Sequence, residues 1–202
     1  DIALMLDMGC NWIRPSHYQH ADKFYELADE NGIILSTEIP IVNSIEFSTD
    51  FVNNCKDQLR ELIRQNYNHP PVCCWLLYNE LTTNGSESVI QQLQDLAKTE
   101  DPTRLTTCAH NNTSDTAAWS YISDTLGYNR YMGWYGSTPE AFAPWADSIH
   151  VSRSTEAIGI MEYGAGANAY QHENPPEYPG PSDPWHPEEY QSYYHEVYWK
   201  AM

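Results

Sequence analysis

Val72-Cys73-Cys74-Trp75-Leu76-Leu77-Tyr78-Asn79-Glu80 is an apolar run that ends abruptly in an amide and an acid. A strand that is apolar on both faces is one covered on both faces, as in a parallel sheet flanked by helices. Pro70-Pro71 stands before the run and breaks a long helix expected over 51–66, with Leu59, Leu62 and Ile63 on one face. After the run, Val89, Ile90, Leu93 and Leu96 recur at helical spacing and predict a helix over 86–99.

The same alternation extends in both directions. Towards the N-terminus the pattern predicts helices over 2–8 and 22–30 and strands over 11–14 and 33–39. Phe24, Leu27 and Ala28 face inward from the second helix, and Gly32 stops it. Towards the C-terminus it predicts strands over 104–109, 123–128 and 157–163, a helix within 139–151 and another over 187–202. Strands alternating with helices imply β/α units and a parallel sheet. A doubly wound open sheet would want a glycine-rich phosphate turn after its first strand, and none is present. The expected fold is therefore a (β/α)8 TIM barrel. A complete barrel takes roughly 250 residues, so residues 1–202 are expected to be part of one barrel domain, without its first and last strands. The proline-rich stretch 174–187 reads as a long loop of the kind that often carries function.

Composition narrows the partners. The chain carries 28 acidic and 10 basic residues, a formal net charge of −18. Phosphate binding needs clustered Lys and Arg, so neither nucleic acid nor an anionic membrane is an expected partner. No apolar run approaches the roughly 20 residues of a membrane helix. Five cysteines, Cys10, Cys55, Cys73, Cys74 and Cys108, show neither zinc spacing nor a disulfide framework, and Cys73 and Cys74 read as buried thiols. Seven Trp and 15 Tyr stand against four Phe. Rings with a polar handle suit stacking on sugar C–H faces, and they equally suit an ordinary core.

In a parallel barrel the chemistry lies at the C-terminal ends of the strands. Asn79 and Glu80 end one strand. Glu162, followed by Tyr163 and Gly164, ends another. Glycoside hydrolysis needs such a pair of carboxyl groups, one protonated to assist the leaving oxygen and one ionised. Spacing alone leaves inverting, retaining and non-catalytic readings open, and Glu80 could equally cap the helix that follows. Other strand ends are polar too: Arg14, Ser16, His17 and Tyr18; Glu38; His110, Asn111 and Asn112; and Asn129, Arg130, Tyr131, Trp134 and Tyr135. Singly, each has a bland alternative, such as a plain Arg14–Glu38 ion pair or a satisfied loop histidine at position 17. His172-Glu173 and His195-Glu196 do not extend to H-E-x-x-H, so a metallohydrolase is disfavoured.

Taken in order, these blocks resemble the barrel domain of glycoside hydrolase family 2, which includes β-galactosidases, β-glucuronidases and β-mannosidases. The resemblance runs through Asn11-Trp12-Ile13-Arg14-Pro15-Ser16-His17-Tyr18, Glu38-Ile39-Pro40, His69-Pro70, Asn79-Glu80, Asn129-Arg130-Tyr131 with Gly133-Trp134-Tyr135, and Glu162-Tyr163-Gly164-Ala165. It implies Glu80 as general acid/base and Glu162 as the nucleophile of a retaining exo-β-glycosidase. It implies that Asn79 bonds a sugar 2-hydroxyl, that Tyr131 positions the nucleophile and that Trp134 walls the site. Arg14, His17, Asn129 and His110 are further expected substrate contacts.

Departures from the family pattern also carry information. Ile41 and Asn43 stand where the metal-dependent β-galactosidase branch has an acid and a histidine, so no catalytic metal and no cofactor is expected. The Asn-x-Lys with which the glucuronidase branch reads a sugar carboxylate is not seen after Glu162. The expectation therefore leans to β-galactosides, with β-glucuronidase, β-mannosidase or a non-catalytic carbohydrate-binding barrel as alternatives. The intact protein is expected to be soluble, cytoplasmic or periplasmic, with β-sandwich domains before the barrel and a capacity to oligomerise.

Overall fold

The computed structural model describes residues 1–111 and 117–202. They form two compact units, Asp1–Tyr128 and Asn129–Met202. In the first unit α1 (Ile2–Asp7), β1 (Trp12–Ile13), α2 (Asp22–Asn31), β2 (Ile34–Glu38), α3 (Thr49–Asn66), β3 (Val72–Asn79), α4 (Glu87–Glu100) and β4 (Leu105–Ala109) follow one another, and the chain passes from the first unit to the second within β5 (Leu126–Asn129). The second unit holds α5 (Phe142–Ser152), β6 (Ile158–Glu162) and α6 (Glu188–Ala201). Every helix and strand expected from the sequence is present. Two short 3-10 turns, Ala118–Tyr121 and Pro139–Ala141, join them.

Strands β1 to β4 make one parallel sheet in the order β1-β2-β3-β4. Each crossover advances by one strand in the same direction. A doubly wound sheet reverses direction at a switch point, and this sheet has none. Successive strands therefore bring their C-terminal residues to one edge, where Arg14, Glu38, Asn79 and Glu80 lie.

The core beneath that edge follows the periodicity, with three corrections. On α2 the fully buried ring is Tyr25, not Phe24, and Tyr25 and Ala28 make the inner stripe. Its hydroxyl pairs with Thr37 Oγ1 at 2.8 Å, which satisfies the polar end inside the core. On α4 the stripe runs through Ile90, Leu93 and Ala97, and Leu96 lies half-buried at its flank. Cys73 and Cys74 are half-buried and all five cysteines are free thiols.

Strand β5 starts at Leu126 rather than at 123, and Asp124 stands before it. Its carboxylate accepts the Thr106 N–H at 2.7 Å and pairs with Lys98 Nζ at 2.5 Å. At the other end of the sheet, Trp75 Nε1–H, Thr103 and Arg104 all donate to the buried Asp101 carboxylate.

The second unit has its own core of Phe142, Ala165, Tyr190, Tyr194 and Tyr198, with Trp134, Trp145, Ile160 and Tyr163 packed against it. Among the described residues no helix is long and apolar enough to cross a membrane.

Candidate active site

Three strand ends of the first unit converge on a hydrogen-bonded cluster. Arg14 follows β1, Glu38 ends β2 and Asn79 ends β3. Arg14 Nε donates to Glu38 Oε1 at 3.1 Å and its Nη2 to Glu38 Oε2 at 3.0 Å, a two-point grip on a carboxylate. Both side chains are almost fully buried. The same Nη2 donates to Asn79 Oδ1 at 2.8 Å. A guanidinium only donates, so Asn79 must offer it oxygen, and the amide NH2 turns the other way as a donor. His17 Nδ1 lies 3.2 Å from Arg14 Nη2 and 3.5 Å from Glu38 Oε1. The Arg14–Glu38 pair is thus more than an isolated ion pair: it fixes the side chain beside Glu80.

The backbone around Glu80 is held as closely. Asn79 N–H donates to Ile41 O at 2.8 Å, and Asn79 O accepts from Asn43 N–H at 3.0 Å. Glu80 N–H reaches across to Ala109 O on β4 at 2.7 Å. Asn111 Nδ2 donates to the Glu80 carbonyl at 3.4 Å. Glu80 itself sits at φ 51°, in the left-handed region that favours glycine. Residues 41–43, which carry the departure from the metal-dependent pattern, serve here as the backbone brace of Asn79. Among the described residues no group of three or more His, Cys, Asp or Glu side chains could hold a metal ion.

In the second unit Tyr131 O–H donates to Glu162 Oε2 at 2.6 Å. Arg130 N–H donates to the Glu162 carbonyl at 2.8 Å, which aligns the segment after β5 with the end of β6. Trp134 is half-buried, with its ring 5.2 Å from His186 and its carbonyl accepting from Tyr178 O–H at 2.6 Å. Gly166 gives that indole room, since a Cβ there would stand 3.1 Å from it. Gly133, at φ 89°, has Pro139 so close that any Cβ would lie 2.5 Å from its ring.

The expected site residues divide accordingly. Arg14, His17 and Asn79 are brought together, and Tyr131 meets Glu162. Asn129 is almost wholly buried. His110 has no exposure: its ring is 5.6 Å from those of both Tyr78 and Tyr128, and Nε2 stands 3.1 Å from Cys108 Sγ. Burial alone would raise the Cys108 thiol, but His110, Ser123 and the Gly127 backbone together outweigh burial and bring it down to about 7. Asn112 lies outside the described residues. Sequence reasoning listed Glu38 as a polar strand end without assigning it a task, and it missed Tyr190, Tyr194 and Tyr198. Their spacing of four along one helix was the available signal.

Comparison with known proteins bears on this geometry. Residues 1–200 match the family model described as "Glycosyl hydrolases family 2, TIM barrel domain". A β-glucuronidase of Bacteroides fragilis is 44% identical over all of this chain, which covers 30% of that protein, and one of Paenibacillus borealis is 32% identical over 87% of the chain, covering 33% of it. Among solved structures, an FMN-binding β-glucuronidase from Faecalibacterium prausnitzii L2-6 superposes with a TM-score of 0.93 at 36% identity, over all of this chain and 31% of its own. A structure named as a putative β-galactosidase from Bacteroides fragilis gives a TM-score of 0.88 at 34% identity, over 99% of this chain and 30% of its own. The chain spans about a third of the length of these relatives.

Proposed function

The chain belongs to glycoside hydrolase family 2, as a TIM barrel domain, and on that premise we propose that the protein is a retaining β-glycosidase acting on β-glucuronides. In this reading the Glu162 carboxylate attacks the anomeric carbon while Glu80 gives its proton to the departing oxygen. Water then opens the glycosyl-enzyme ester, with Glu80 now taking the proton. The observation that carries the reading is the Tyr131–Glu162 hydrogen bond, which holds the carboxylate of a strand-end acid in one orientation. Asn79 contributes an oriented amide donor beside Glu80, the kind of group that bonds a sugar hydroxyl more tightly as charge develops.

The choice of sugar departs from the sequence expectation. The missing Asn-x-Lys favoured β-galactosides. The names carried by the relatives, among them a β-glucuronidase 44% identical over the whole chain, support β-glucuronides instead. The putative β-galactosidase at 34% identity keeps the other sugar as the second reading.

The test is hydrolysis of p-nitrophenyl β-D-glucuronide and β-D-galactoside by the full-length protein under the same conditions. The glucuronide is expected to show a kcat/KM at least about a hundredfold higher, as an unpaired charge on the wrong sugar or in its site would produce. Equal or faster hydrolysis of the galactoside overturns the sugar assignment. Full turnover by Glu162→Gln overturns the mechanism.

A further inference from the structure

Tyr190, Tyr194 and Tyr198 recur every four residues along α6, so they stack on one face of the helix. All three are essentially buried, and Tyr194 and Tyr198 are fully so. A buried phenol has to place its hydroxyl on a partner. Each of these does so on the backbone of the two segments that carry Tyr131 and Glu162. Tyr190 O–H donates to the Gly133 carbonyl, and Tyr194 Oη accepts from Gly164 N–H at 3.4 Å. Tyr198 Oη lies 3.2 Å from both the Arg130 and the Met132 carbonyl oxygens, the residues on either side of Tyr131.

The Tyr198 ring adds a second set of contacts. It stacks on Tyr163, the residue after Glu162, at 5.3 Å and 12°. On another side it stacks on Phe142 at 4.0 Å and 21°. One side chain therefore touches both neighbours of the hydrogen-bond donor and the neighbour of its acceptor. A phenylalanine would fill the same volume. The hydroxyl is what ties the ring to the carbonyls around Tyr131.

We propose that Tyr198 is a positioning residue for the nucleophile: its hydroxyl fixes the backbone of residues 130–132, and through it the reach of Tyr131 O–H to Glu162. This rests on the functional reading above, in which Glu162 attacks the sugar. Misplacement of a reacting group by about 1 Å can lower a rate about a hundredfold, so a loosened clamp acts on kcat rather than on substrate affinity.

The test is a double-variant cycle in the full-length protein. Tyr198→Phe is expected to lower kcat on an aryl β-glycoside about tenfold with KM changed less than twofold. It is expected to slow covalent labelling of Glu162 by a cyclophellitol-type aziridine, followed by intact mass, in the same proportion. Tyr131→Phe is expected to lower both at least as much, and the double variant to be no slower than Tyr131→Phe alone. Losses that multiply in the double variant, or wild-type kcat and labelling in Tyr198→Phe, overturn the proposal. Should Tyr198→Phe fail to fold, 4-aminophenylalanine at position 198 takes its place as a weaker donor. It is expected to slow the wild-type background about threefold and the Tyr131→Phe background not at all, and equal slowing in both overturns the proposal. If Glu162→Gln retains turnover, or the label falls elsewhere, the functional reading fails and this role falls with it. If Glu162 is essential and labelled while Tyr198→Phe is silent, only the role of Tyr198 fails.

Discussion

Glu80 holds a backbone φ of 51°, a conformation that costs a residue with a Cβ about 1–2 kcal/mol. Bonds on either side hold it there, from Asn79 to residues 41 and 43 and from Glu80 N–H to Ala109. Strain of this kind persists where the surroundings over-determine it, and it clusters at functional sites. In the proposed mechanism the strained residue is the acid/base. Glu80→Gly and Glu80→Ala should therefore share one kinetic defect, a loss of turnover on poor leaving groups that azide restores as a β-linked product. They should differ in stability, with the glycine variant equal to or up to about 1 kcal/mol above the alanine variant, because only glycine relieves the strain. Denaturant unfolding of both variants checks this, and an alanine variant clearly more stable than the glycine would contradict it.

Much at this scale was legible and some was not. An apolar run ending in Asn79-Glu80 announces a strand end in any sequence. The grip of Arg14 on Glu38 and Asn79 spans 24 and 65 residues, and no local pattern encodes it. Polar residues after β4 read as lining a site, yet His110 is fully buried with Tyr78, Cys108 and Tyr128 packed against it, and only packing decides that.

Among the elements, the junction of α4 and β4 shows how a buried charge fixes a crossover. Asp101 has no exposure, and burial would push its carboxyl up. Hydrogen bonds from Thr103, Arg104 and Trp75 together outweigh burial and hold it at about 2. The folded value lies below the ordinary 3.8, so the contribution to stability is fully present above about pH 4 and is lost as the pH falls through about 2. The shift corresponds to about 2 kcal/mol. Asp101→Asn should therefore lower stability by about that amount at pH 7, and its deficit should shrink between pH 4 and pH 2. Tryptophan-fluorescence unfolding at three pH values across that range checks it; a deficit that stays constant would contradict the assignment.

Helix and strand periods were read correctly along the chain because apolar spacing reports which face is covered. What spacing did not report is which aromatic does the covering. On α2 it is Tyr25 rather than Phe24, since Thr37 on β2 supplies a partner for the phenol. On α6 three tyrosines face inward for the same reason, their partners being carbonyls and an amide of distant segments.

For the molecule as a whole, the parallel order β1-β2-β3-β4 and the match over residues 1–200 give the barrel of family 2. The relatives are about three times longer than this chain. Among the described residues β1 pairs with β2 alone, and an open strand edge invites association with other chains. On the proposed function, residues 1–202 expressed alone are expected to be inactive and prone to aggregate, and the full-length protein is expected to turn over. Hydrolysis by the isolated segment at the full-length rate would contradict that.

In the proposed mechanism Glu162 is the group that bonds the sugar. The most direct measurement is inactivation of the full-length protein with a 2-deoxy-2-fluoro-β-glucuronyl fluoride, followed by peptide mapping by mass spectrometry. One glycosyl adduct is expected, on Glu162, absent from Glu162→Gln. An adduct on any other residue, or continued turnover by Glu162→Gln, would contradict it.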